Sequence, residues 1–329
     1  MKQCLSLIFI ILGTFIGAGC VSGKETVVYF TNYAQYFLMS IIATIAIIYI
    51  FSFYLNFGKK FKITNFTDYS KVLFGKRSRI IDLLFLFCVL CMIGNMFAGL
   101  DIMIYNIIPN TLVINIIIIL ALYIIISHDI NGLEKINIVL IPIIIGFILV
   151  LCFLSINIES YNTMHSLDIS LFKVIIYVFL NVLDISILLS QISNNYSKKS
   201  CIISSIVCGV IIFIIIIMQS ISFLCNDVLL FDFPLFEISK MFNLQIIYYL
   251  VSIFAMFTTL LSAVYIVYSY VHKYFNKFVS VIIISCVGII ISLLGFTFII
   301  SYVYVLLGIL GFILFLRIIY VYYFSSNNK

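Results

Sequence analysis

The chain is short of charge. Of its 329 residues, 9% are Asp, Glu, Lys or Arg while 65% are hydrophobic, and a soluble domain carries about a quarter charged residues. So few charges cannot cover a water-facing surface. That excludes a soluble enzyme, a nucleic-acid binder and a disordered chain. Histidine is scarce too, with three copies far apart, and there is no tryptophan. No His/Cys spacing suits zinc, no Ser–His pair or acidic cluster suits catalysis, and the chain reads as a non-enzyme without a cofactor. The nine cysteines lie mostly in apolar runs. Even the Cys88-x-x-Cys91 pair sits in a hydrophobic helix without a redox-fold context, so all nine read as small apolar fillers. Only three prolines interrupt the sequence, and Pro109 and Pro234 fall in connections.

What is present is apolar length. Mean hydropathy is +1.30, the value of a multi-pass membrane protein. A helix crosses a bilayer with about 20 apolar residues, and ten stretches qualify: 5–33, 35–57, 80–108, 111–127, 135–155, 170–192, 201–225, 243–271, 279–299 and 302–324. The longer connections are 58–79, 156–169 and 226–242, so the chain reads as one transmembrane domain over 1–329. Lys and Arg accumulate in cytoplasmic loops. With the N-terminus inside, fifteen of the eighteen basic residues fall on the cytoplasmic side and only Lys24, Lys173 and Lys240 fall outside. A miscounted helix would spoil that asymmetry, so the expectation is ten spans with both termini cytoplasmic.

The N-terminus has the look of a signal peptide, and Gly17-Ala18-Gly19-Cys20 that of a lipoprotein cleavage site. Gly17, however, stands where an aliphatic residue is expected, and the segment reads as a first helix. That helix contains Gly13-Thr-Phe-Ile-Gly-Ala-Gly-Cys-Val-Ser-Gly-Lys-Glu25, with four glycines in eleven residues. It is neither a P-loop, which has four residues between its glycines where Gly19 and Gly23 have three, and whose lysine precedes Ser or Thr, nor a dinucleotide fingerprint, since position 22 is serine. Two readings remain. Gly13/Gly17 and Gly19/Gly23 are small-xxx-small pairs that bring helices close. Alternatively the segment is unwound, its freed amides holding an anion and its freed carbonyls a cation.

This string resembles the start of the YkvI-type bacterial membrane proteins, with Lys24 in place of their usual glutamine. That family is similar to the amino acid–polyamine–organocation superfamily with the LeuT-like fold. The resemblance implies an all-α integral membrane protein of ten transmembrane helices, built as two inverted five-helix repeats (about 5–155 and 170–324) with broken helices 1 and 6. It implies a bacterial cytoplasmic-membrane location and substrate between the broken helices, with Gly17, Ala18 and Gly19 offering amides to a carboxylate. It also implies a sodium site made by the carbonyls of Gly13, Ile16 and Ala255 and the hydroxyls of Thr258 and Thr259, the last three from an Ala-x-x-Thr-Thr pattern in the eighth span. The competing reading has both threonines bonded back to their own helix. The fifth span, Ile136 to Ser155, carries no charge where some proton-coupled relatives have a lysine, which favours Na+ over H+.

Three acids remain at membrane depth: Glu25, Asp101 and Asp184. Each costs about 3 kcal/mol or more at the bilayer centre unless paired or hydrated. Asn181 and Asp184 share a helix face and are read as lining the substrate site. Lys24, Glu25 and Asp101 are gate or proton candidates, with Asp101 a partner for Lys24. Tyr177 and Phe179 could wall a pocket, though core or lipid contact competes. The expected function is sodium-coupled secondary transport of a small zwitterion such as an amino acid, with no protein partner evident. The alternative is an amino-acid-sensing receptor subunit, like those for spore germinants, without net transport.

Overall fold

The computed structural model describes residues 2–32, 35–75, 78–105, 111–157 and 170–324. Among the described residues it is almost wholly helical, with fifteen α-helical segments. The first apolar run is divided into α1 (Lys2–Phe15), α2 (Ala18–Ser22), α3 (Lys24–Thr26) and a π-helical turn, Val27–Thr31. Then come α4 (Tyr36–Phe61), α5 (Phe66–Phe74), α6 (Ser78–Tyr105), α7 (Thr111–Ile126) and α8 (Asp129–Ser155). The chain continues with α9 (Leu171–Ile192), α10 (Lys198–Asn226), α11 (Pro234–Met241), α12 (Gln245–Val271) and α13 (Lys277–Ser292). Last are α14 (Phe296–Phe298), a second π-helical turn at Ile299–Val303, and α15 (Tyr304–Phe324).

Local chemistry sets several ends. The Asn65 side chain accepts from the Asp68 amide at 3.0 Å and starts α5, while Ser197 accepts from Ser200 at 3.1 Å and starts α10. Such side chains satisfy first-turn amides that have no helical partner. Pro234 opens α11, where its missing N–H is no loss. Lys62 and Asp227 end α4 and α10 in the left-handed region.

Among the described residues six helices are long and apolar enough to cross a membrane: α4, α10 and α12, most of α6 and of α8, and the α14–α15 unit. The α9 region adds a seventh if its two halves, 171–183 and 185–195, form one span bent by 46°. Shorter apolar helices occupy 3–15, 113–126 and 277–292. This is a multi-pass membrane protein. Its exterior fits that: Ile116, Ile117 and Ile124 of α7 and Val139, Ile143, Val150 and Phe153 of α8 are exposed, a belt that water would penalise and lipid does not.

The centre belongs to α1. Leu7, Ile10, Ile11, Leu12 and Ile16 have no exposed surface, and α1 packs against α8, α10 and α12. Around it α4 packs on α9 and α10, α6 on α12 and α13, and α15 on α9. Two of the three longer connections hold a short helix, α5 after α4 and α11 after α10, which the hydropathy pattern did not reveal; the third, 156–169, lies almost wholly outside the described residues. Glycines set the tightest approaches. A Cβ on Gly58 of α4 would meet the Ser190 backbone of α9, and a Cβ on Gly308 or Gly311 of α15 would meet the backbone of Ile176 or Phe179. Backbone cannot step aside as a side chain can. Gly311→Leu is therefore expected to destabilise the protein by about 1–3 kcal/mol, read as a lower unfolding temperature in detergent.

Candidate functional site

The break in the first run is the natural place to begin. Helix α1 ends at Phe15, and Gly17 is extended with φ −106° and ψ −160° before α2 starts at Ala18. The Gly17 amide turns back to the Phe15 carbonyl at 3.0 Å. The sequence reading counted Gly17 among three amides open to a carboxylate. The structure engages the Gly17 amide in that turn, while Ala18 and Gly19 are first-turn amides of a helix whose N-cap supplies no side chain.

Away from water the carbonyls freed by such a break need partners, and most are found on other helices. The Thr259 hydroxyl of α12 lies 3.1 Å from both the Gly13 and the Ile16 carbonyl. Gln219 of α10 donates to the Cys20 carbonyl at 2.8 Å, and the Tyr248 hydroxyl reaches the Val21 carbonyl at 3.3 Å. Thr26 donates to the Gln219 side-chain oxygen at 2.5 Å, so one buried glutamine holds both ends of the α2–α3 joint.

The α1–α12 seam gathers the predicted cation ligands. Gly13, Ile16 and Thr259 meet as described, and Thr258 donates back to the Ala255 carbonyl at 2.9 Å, the local bond that competed with its ligand role. Thr14 bonds Ser262 at 3.0 Å, extending the polar seam. A hydroxyl has one proton, and here two carbonyls converge on it. The spot is therefore rich in oxygen and poor in hydrogen, a suitable environment for a small hard cation. Opposite it, Asn137 of α8 is fully buried and unpartnered at both side-chain atoms, and its amide lies where a Cβ of Gly13 would go. The sequence reading searched the fifth span for charge and passed over this amide.

The gate candidates separate. Lys24 pairs with Asp232 at 3.1 Å and donates to the Phe231 carbonyl, which ties the α3 end to the segment before α11. Asp101 stands instead beside Asn115 of α7, so the expected Lys24–Asp101 pairing is not formed. Glu25 turns inward. It is 5% exposed, lies against Gly19, and is reached by the Asn181 side chain of α9. Asn181 also donates to the Tyr177 carbonyl at 3.1 Å. The side chain of Asp184 lies outside the described residues; its backbone falls at the 46° bend of α9. Tyr177 faces inward, its ring against Phe15, Tyr29 and Phe30 at 6.2, 5.7 and 4.7 Å, and Phe179 packs on Phe312 and Phe315 of α15.

Cavities adjoin these elements. A small one, with about 10 Å³ for the centre of a water molecule, is lined by Phe15, Ile16, Cys20, Glu25, Thr26, Tyr177 and three isoleucines of α10. A wider one of about 680 Å³ lies between α5, α6 and the end of α12, lined by Thr67, Lys71, Asp82, Tyr270 and Lys273 among others. Lys273 donates to Thr67 there; burial pulls its ammonium below the ordinary lysine range, with Asp68 opposing. Among the described residues no group of three or more His, Cys, Asp or Glu could hold a metal ion.

No protein-family model matches the sequence, and no curated protein matches it. Solved structures do. The chain is similar to MhsT in complex with L-phenylalanine (17% identity, TM-score 0.67), covering 89% of this chain and 78% of that one. It is also similar to Mhp1, a nucleobase-cation-symport-1 family transporter, in a closed conformation with bromovinylhydantoin bound (15% identity, TM-score 0.59, covering 88% and 70%). A Na+-coupled sialic acid symporter in its substrate-bound outward-open state matches at 15% identity and TM-score 0.59, over 94% and 75%. At such identities the likeness concerns architecture: the chain has the LeuT-like fold.

Proposed function

We propose that the protein is a sodium-coupled secondary transporter of a small zwitterionic solute such as an amino acid, working by alternating access. The observation that carries the reading is the single Thr259 hydroxyl shared by the Gly13 and Ile16 carbonyls beside the helix break. With Na+ bound, these carbonyls, the Ala255 carbonyl and the Thr258 and Thr259 hydroxyls turn their lone pairs to the ion, and the Thr259 proton swings away. Ala18 and Gly19 amides take the substrate carboxylate, while Asn181 and Asp184 face its other end. The solved structures named above support the reading by fold, and the sialic acid symporter also by its stated Na+ coupling.

Ten spans and two inverted repeats, about 5–155 and 170–324, fit the packing. Numbering α1–α3, α4, α6, α7 and α8 as spans one to five, and α9, α10, α12, α13 and α14–α15 as six to ten, some of the contacts match under exchange of the halves. The match holds for two of the principal pairs: α4–α9 corresponds to α10–α1, and α1–α8 corresponds to α9–α15, while pairs such as α8–α12 have no comparable counterpart. The short helices α5 and α11 then follow the second span of each half. Both termini lie in the cytoplasm of a bacterium on this reading, and the YkvI-type resemblance at residues 13–25 fits it.

The test is uptake into proteoliposomes from a panel of amino acids, with and without an inward sodium gradient, beside thermal unfolding with the same ligands, since ligands of the folded state raise apparent stability. Sodium-dependent accumulation is expected. Specific binding without flux would replace transport with the receptor reading.

A further inference from the structure

The cavity of about 680 Å³ between α5, α6 and the end of α12 takes no part in the proposed transport site. It lies at the edge of the membrane. Asp82 is the first residue of the apolar span within α6, and Lys273 stands two residues beyond Val271, the last of α12. Leu83, Leu84 and Phe87 are exposed where the α6 span enters lipid, and Leu83 also lines the cavity. Tyr270 and Tyr274 of the lining are tyrosines at headgroup depth, where such rings are favoured.

The charges around this space balance but do not meet. Lys71 and Lys273 are positive, and Asp82 and the neighbouring Asp68 are negative. Among the described residues no ion pair joins any of the four. Lys273 donates to the Thr67 hydroxyl instead, and Asp68 accepts from Thr64 at 2.8 Å. Asp82 lines the cavity and is 3% exposed, yet one of its carboxylate oxygens has no partner among the described residues. A buried carboxylate oxygen without a donor is unfavourable. An ammonium has three N–H donors, so Lys273 keeps two after bonding Thr67. The volume is within the roughly 300–1,000 Å³ of small-molecule pockets, and a bare ion would leave it largely empty. Lysines alone at the membrane surface favour an anionic lipid. The buried carboxylate changes that choice: a purely anionic ligand would face Asp82, and a purely cationic one would face both lysines. A ligand with an anion and an ammonium on one short body satisfies all of these groups.

We propose that this cavity binds a phosphoethanolamine group, with its phosphate on Lys71 and Lys273 and its ammonium on Asp82. As the headgroup of phosphatidylethanolamine it enters from the membrane and lays its chains over Leu83, Leu84 and Phe87; as the soluble compound it enters from water. The exposed apolar rim favours the lipid, since a soluble ligand has no use for it. The site borders α5, α6 and α12, so an occupied site ties these three helices together. It rests neither on the transport reading nor on the sodium seam.

The test is native mass spectrometry of the purified full-length protein, stripped of lipid in detergent. Phosphatidylethanolamine, phosphatidylcholine and phosphatidylglycerol with matched chains are added in turn, and soluble phosphoethanolamine is added as competitor. Wild type is expected to hold phosphatidylethanolamine about tenfold or more tighter than the other two, as the trimethylammonium of one brings no N–H and the glycerol of the other no charge. Lys71→Gln and Lys273→Gln each weaken phosphatidylethanolamine and phosphatidylglycerol together by about tenfold. Asp82→Asn removes the preference for phosphatidylethanolamine and keeps or improves phosphatidylglycerol binding, a change of selectivity that a merely structural role does not produce. Lipid that soluble phosphoethanolamine does not displace assigns the site to the membrane. Binding of the soluble compound, lost in Asp82→Asn and without any lipid preference in wild type, assigns it to water. Wild type that holds the three lipids alike and does not bind soluble phosphoethanolamine overturns the proposal without any variant. So does a folded Asp82→Asn that retains the full preference.

Discussion

Thr259→Val is expected to abolish sodium-driven uptake and weaken sodium binding at the α1–α12 seam at least about tenfold, a loss of about 1.4 kcal/mol or more. Valine keeps the shape of threonine and removes only the hydroxyl. The Gly13 and Ile16 carbonyls, now 3.1 Å from that hydroxyl, then face a methyl group in a buried place. An acceptor left unpaired costs about 1–3 kcal/mol, so the variant also unfolds at lower temperature without sodium. Thr259→Ser restores the oxygen and should recover most of both losses. Thr258→Val should weaken sodium binding with less effect on the empty protein, because its hydroxyl serves only the local Ala255 carbonyl. Sodium titrations followed by thermal unfolding, with uptake alongside, separate these outcomes. An unchanged titration for folded Thr259→Val would remove the ion from this seam.

How much of this was legible in the sequence depends on what each feature requires. The long apolar helices were, because a run such as Ile114–Ile126 has no other use in so uncharged a chain, whereas the short helices α5 and α11 were not. A break at the glycine string was also legible: Gly17 sits at the extended residue between α1 and α2. Partner choice across helices was not. Lys24 was paired with Asp101 on depth alone, whereas its pairing with Asp232 depends on how the chain leaves α10 at Asp227, left-handed with φ 52°, and brings the stretch before α11 over the first run. Gln219 and Asn137 were overlooked for a different reason. The search followed charge, and an uncharged amide in an apolar run gives a weaker signal; counting lone amides within the apolar runs would have flagged both. Asn181 was assigned to the substrate site from its spacing to Asp184, but spacing along one helix cannot show that it meets Glu25 on another.

Glu25 reaches Asn181 because of one backbone angle, and Gly23→Ala is expected to have the second large effect. Gly23 joins α2 to α3 with φ +81°, where an L side chain costs about 1–2 kcal/mol. Its Cβ would also run into the ring of Phe223, which has no exposed surface and no room to withdraw; overpacking of this kind costs about 1–3 kcal/mol more. The two terms can be separated. In a Phe223→Leu background the ring collision is gone, so adding Gly23→Ala should lower the unfolding temperature less than it does in wild type, and the remainder reports the strained angle. The functional consequence is sharper than the loss of stability, because the joint aims Lys24 outward to Asp232 and Glu25 inward to Asn181 at once. Gly17→Ala makes the contrast. Its φ of −106° suits any residue, and its new Cβ would meet Met96 at 3.1 Å, a contact that a flexible methionine can relieve, and Thr259 at 3.2 Å, which has to give by a few tenths of an ångström. If Gly23→Ala and Gly17→Ala destabilise equally, space rather than backbone angle governs this segment, and the orientation of Glu25 needs another cause.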